Sequence, residues 1–154
     1  VLSAFDFAKK RPDRKRSIKS LKFRAPPEWP TFRGHQFKNL IYSSLDQVFA
    51  FFLIRQERVV FASPYAQKKN SKIKVGCQID LLIYTKPSTY YVVEFKSGAL
   101  TSSLANEMKT GALNFPKRAS VHKVLICLDD TDCPNVVREA FDQVIRFQDF
   151  LSLS

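Results

Sequence analysis

Apolar and polar positions divide the chain into a polar, basic opening and an amphipathic remainder. From Gly34 onward Phe37, Leu40, Ile41, Leu45, Val48, Phe49 and Phe52 recur at three- and four-residue steps, giving one wide apolar stripe. This predicts a long core helix ending near Arg55. The segment "ERVVFASP" is short, β-branched and closed by Pro64, which predicts a strand. Two stronger strands follow, near Val75 to Tyr84 and Tyr90 to Lys96, around a turn containing Lys86, Pro87 and Ser88. Ser/Thr N-cap candidates after Gly98 open a helix expected to run to Phe115. "SVHKVLICLDD" reads as a buried strand, Pro134 suits the first turn of another helix, and a short strand at Val144 to Phe147 precedes a terminal turn. The order is helix, three strands, helix, strand, helix, strand. That is an α/β sheet between helices with a hairpin-like middle.

The opening is different. Residues 1–30 hold nine Lys/Arg against three acids, and "APPEWP" disfavours helix. Residues 1–30 therefore read as a basic arm or linker, and 31–154 as one domain. Lys9, Lys10, Arg11, Arg14, Lys15 and Arg16 either form a solvated tail or grip phosphates. The whole chain of 154 residues carries a net charge of +11, which admits nucleic acid, an anionic membrane or an acidic protein as partner. The apolar run Val48 to Ile54 is too short to span a bilayer, and no apolar signal core follows the N-terminal basic residues. Cys77, Cys127 and Cys133 match no zinc spacing, so a reducing cytoplasm is the natural setting. No Gly-rich phosphate loop is present, so the chain is not itself a P-loop ATPase.

Asp80, Glu94 and Lys96 interrupt the two strongest strands. Glu94 and Lys96 share a face by alternation, and Asp80 lies among Ile79, Leu81, Leu82 and Ile83. An unpaired carboxylate in such a run costs several kcal/mol. A divalent cation removes the difficulty: two carboxylates on adjacent strands, with a backbone carbonyl between them, suit Mg²⁺ or Mn²⁺. A lysine two residues after the Glu reaches a metal-bound water or a scissile phosphate. Phosphodiester hydrolysis needs this set of groups.

The D-x13-E-x-K pattern, in this order of elements, resembles the PD-(D/E)xK nuclease superfamily. "QIDLLI", "VVEFKSG" and the closing "VIRFQDFL" look most like nuclease-like domains at the C-terminal end of certain prokaryotic P-loop ATPases. The resemblance covers roughly residues 31–154. It implies a restriction-endonuclease-like core with a four-stranded mixed sheet flanked by helices, and Mg²⁺- or Mn²⁺-dependent cleavage of DNA. By position, Asp80 and Glu94 would be metal ligands, Phe95 would offer its carbonyl to the metal, and Lys96 would be the catalytic lysine. Gln78, one strand-step before Asp80, would support them. Ile79 stands at the motif's Pro position.

Many members carry a Glu on the first helix pointing at the metal; here "RGHQFKN" places Lys38 there. A cation at that point would repel the ion or pair with Asp80. The competing reading is a catalytically inactive module of the same fold that binds nucleic acid or a partner ATPase. That partner would lie upstream in a longer polypeptide or in a separate chain.

Lys68, Lys69, Lys72 and Lys74 precede the Asp80 strand, as a solvated loop or as phosphate contacts at one edge of the site. Lys109 lies on the helix after the motif, where relatives often place a polar residue facing the site; the competing reading is a simply exposed lysine. "DDTDC" reads as turn formers before Pro134. His35 and His122 have no nucleophile motif beside them.

Overall fold

A computed structural model describes residues 29–70, 76–107 and 113–151. Most of the arm, with Lys9, Lys10, Arg11, Arg14, Lys15 and Arg16, lies outside the described residues, as do Lys72, Lys74 and Lys109. The elements are α1 (Trp29–Tyr42), α2 (Leu45–Phe51), β1 (Val59–Gln67), β2 (Cys77–Thr85), β3 (Thr89–Lys96), α3 (Ser103–Glu107), β4 (Ser120–Cys127), α4 (Asn135–Ala140), β5 (Gln143–Arg146) and α5 (Phe147–Leu151).

The single long helix of the apolar stripe is two helices. The break falls at Ser43 and Ser44. The Ser43 N–H still makes the helical bond to the Asn39 carbonyl and its hydroxyl donates to the same oxygen, at 2.9 Å each. The Ser44 N–H then turns to the Ile41 carbonyl three residues back. A serine hydroxyl on the carbonyl four residues back bends a helix. The stripe survives the break because Phe37, Ile41, Val48 and Phe49 still enter one core. α2 closes with the Ile54 N–H on the Phe49 carbonyl and the Leu53 N–H on the Ala50 carbonyl, leaving Leu53 at φ 55°. This is a Schellman closure, and it usually carries glycine. At its other end α1 begins earlier than the stripe suggests, with Pro30 in its first turn, where the missing N–H costs nothing.

The sheet has five strands in the order β1-β2-β3-β4-β5. β1, β2 and β3 pair antiparallel, and β3, β4 and β5 pair parallel. The four-stranded sheet implied by the resemblance is therefore corrected to five, the number that the strand patterns themselves predict. β1 is longer than "ERVVFASP" suggests and passes through Pro64 to Gln67. It tolerates the proline because it is an edge strand with a register irregularity there. α3 is described over Ser103–Glu107, and Leu113–Pro116 is not helical, so the helix expected to reach Phe115 ends short of it.

Helices cover both faces. Phe37, Ile41, Val48, Phe49 and Phe150 pack on Leu81, Ile83, Val93, Phe95, Val124 and Ile126 on one side. Leu100, Leu104, Val137 and Phe141 cover Leu125 and Cys127 on the other. A third cluster, Ile79, Leu82 and Val92, extends that second face.

Candidate functional site

β2 should place Ile79, Leu81 and Ile83 on one face, yet Ile79 packs with Leu82 and Val92 while Leu81 and Ile83 enter the opposite core. The alternation breaks at Asp80. From Ser63 to Tyr65, β1 takes two steps while β2 takes three, from Leu82 to Ile79, opposite Pro64. An extra residue in one strand re-aims a side chain, and a proline lacks the N–H that regular pairing needs. On the other side of β2, pairing with β3 begins only at Leu81↔Val93, one pair short of Asp80 and Glu94.

Asp80 occupies this gap. It is 5% exposed, and its Oδ2 accepts the Phe95 N–H at 3.0 Å in place of a ladder bond. Its Oδ1 accepts the Lys38 amine, and its backbone carbonyl accepts the Tyr42 hydroxyl at 2.6 Å. Lys38 and Tyr42 are four residues apart on α1 and so present one face to the site. Phe95 sends its ring into the core, edge-on to Tyr42 at 5.6 Å. The group that Phe95 gives to Asp80 is its N–H.

Glu94 lies beside Asp80. Burial, then the Asp80 charge and a hydrogen bond to Asp80, push its carboxyl up to about 8, against partial relief from Lys38 and Lys96. Burial and the same two carboxylates also push the Tyr42 hydroxyl up.

Two hollows meet here. The larger, about 620 Å³, is lined by Lys38, Gln78, Asp80, Glu94 and, from α3, Ser103 and Asn106. The smaller, about 250 Å³, is lined by Lys38, Asp80 and Glu94 again, with Arg33, Lys96 and Gly98. The structure therefore brings together Lys38, Gln78, Asp80, Glu94, Phe95 and Lys96. Tyr42, Arg33, Ser103 and Asn106 join them without any motif in the sequence to mark them. Tyr42 alone is foreshadowed, by its four-residue spacing from Lys38.

Lys68 and Lys69 are exposed beyond the end of β1. Gly76 on the rim of the larger hollow lets this segment approach closely: a Cβ there would lie 3.1 Å from the Gln67 carbonyl oxygen and 3.5 Å from the Lys69 nitrogen.

The other candidates have local roles. Asp129 Oδ1 accepts the backbone N–H and hydroxyl of Thr131 at 2.9 and 2.6 Å, and Asp130 pairs with Arg138 at 3.2 Å. His122 stacks on Tyr91. Cys127 is buried, and burial first pushes its thiol up to about 12.

A hard cation fits the donor chemistry: two crowded carboxylates repel one another, and the amide and hydroxyl of Gln78, Asn106 and Ser103 add oxygen donors. Among the described residues no group of three or more His, Cys, Asp and Glu could hold a metal, so the carboxylates would be two. Mg²⁺ is often held by one or two carboxylates, with water and substrate phosphate completing its shell. Among the described residues no helix is long and apolar enough to cross a membrane. Comparisons with protein-family models, curated proteins and solved structures found no match.

Proposed function

We propose that this domain is a nuclease of the PD-(D/E)xK type that hydrolyses DNA phosphodiester bonds with Mg²⁺ or Mn²⁺. The observation that carries it is the Asp80–Glu94 carboxyl pair, set where β2 and β3 part, with Lys96 lining the same cleft. A structural ion pair with Lys38 needs one carboxyl, and here a second, Glu94, crowds the first and is made harder to ionise by burial and by Asp80.

Asp80 and Glu94 would hold the ion, after Glu94 gives up its proton. When bound, the ion supplies an acidified water and polarises a phosphoryl oxygen. The Lys96 ammonium would orient the attacking water and offset charge developing on the phosphate. Gln78, Asn106 and Ser103 would position the substrate by hydrogen bonds in the larger hollow. Arg33 and the exposed Lys68 and Lys69 would draw the phosphate backbone to the cleft from its two sides. A P-loop ATPase in cis or in trans is the partner we assign to it, and three free thiols suit a reducing cytoplasm.

The test is cleavage of single-stranded, linear and supercoiled DNA with Mg²⁺ or Mn²⁺. Asp80→Ala and Lys96→Ala should each lower the rate by about two to three orders of magnitude, with DNA binding largely retained. A wild-type protein that cuts no DNA form with either ion defeats the proposal. The second reading, an inactive module that binds nucleic acid or the ATPase, is favoured by one observation: Lys38 already satisfies Asp80.

A further inference from the structure

Asp80 Oδ2 accepts a backbone N–H that forms part of the strand frame and cannot move away, so Oδ1 is the oxygen whose partner can be exchanged. Oδ1 is where the Lys38 amine sits. We propose that Lys38 is a tethered counter-cation that competes with the divalent ion for Asp80, so that the ion enters only as the lysine swings away. The proposal rests on the metal-dependent reading above.

Three observations carry it. The Lys38 ammonium and a divalent ion at Oδ1 are like charges side by side, so each disfavours the other there. Lys38 lines both hollows, so a rotation of its four-carbon stem would move the amine into open space without moving α1. Its side chain is 33% exposed while Asp80 is 5% exposed, so the amine can return to water and the carboxylate cannot. Asp80 is fixed by Phe95 and Tyr42, and Lys38 is the movable member of the pair.

Lys38 would therefore tune metal affinity downward and keep the carboxyls compensated when the ion is absent. Mn²⁺ binding without DNA, measured by electron paramagnetic resonance and by calorimetry, tests this on the wild type, Lys38→Met and Lys38→Gln. Both variants should bind Mn²⁺ about tenfold or more tightly than the wild type. Equal or weaker binding overturns the lysine's role and leaves the metal-dependent reading standing. No binding by any of the three overturns both.

If the variants do not fold, the wild type still decides. Amine acetylation followed by mass spectrometry should show Lys38 labelled faster when Mg²⁺ is added, with the exposed Lys86 and Lys117 as unchanged references. Lys38 labelling that Mg²⁺ does not alter overturns the proposal.

Discussion

At the residue scale the chemistry converges on Glu94, a carboxyl that folding makes harder to ionise. Its ordinary value of 4.5 rises to about 8 in the fold, so the folded state holds the proton more tightly than the unfolded chain. The stabilising contribution is complete below pH 4.5 and is lost as pH rises towards 8. Thermal unfolding in the presence of a chelator should show this decline in the wild type. Glu94→Gln keeps a neutral hydrogen-bonding group beside Asp80 and should remove the decline. Parallel pH profiles for the two proteins would show that Glu94 ionises normally. The raised value is not legible in "VVEFKSG", because it arises first from burial in the fold and then from Asp80, fourteen residues away in sequence. The identity of the pair is legible, since a carboxylate inside an apolar strand is costly until a partner compensates it.

At the element scale two irregularities matter, and both sit where local sequence conflicts with the surrounding fold. β2 gains a residue at Asp80 opposite Pro64, and this turns the carboxylate into the gap between strands. Pro64 is visible in the sequence, where it predicts the end of a strand. Only its place on the sheet edge allows the strand to continue past it. The second irregularity is Leu53, left-handed at φ 55° and 89% exposed at the end of α2. A left-handed non-glycine residue costs roughly 1–2 kcal/mol, and glycine gives back part of this gain through the freedom of its unfolded chain. Leu53→Gly should therefore raise stability by about 0.5–1 kcal/mol in urea titrations with an unchanged slope. A loss of stability would mean that the exposed side chain makes contacts that offset its strain.

At the scale of the whole molecule, charge and fold have separate consequences. The net charge of +11 sets an attraction for polyanions, and the sheet decides which basic groups stand near the cleft. If Lys68 and Lys69 contact phosphates, changing both to Ala should make the salt dependence of DNA binding shallower by about two units of slope, near one per contact. Deleting residues 1–24 should flatten it further. Fluorescence anisotropy at several salt concentrations measures both. Slopes that do not change in either variant would assign the attraction to other cations.

The α/β class, the five strands, most element positions and the identity of Asp80, Glu94 and Lys96 can all be read from the chain before it folds. Periodicity and charge inside apolar runs are local properties, and local properties survive in a string of letters. Folding in three dimensions was needed to show that β2 bulges at Asp80, that the long stripe is two helices, and that Tyr42, Arg33 and Asn106 stand at the site. It also showed the Lys38 amine on Asp80, the pairing that the sequence offered beside repulsion of an ion. Those outcomes depend on which residues distant in sequence share a small volume, and on how a buried charge finds its compensation there.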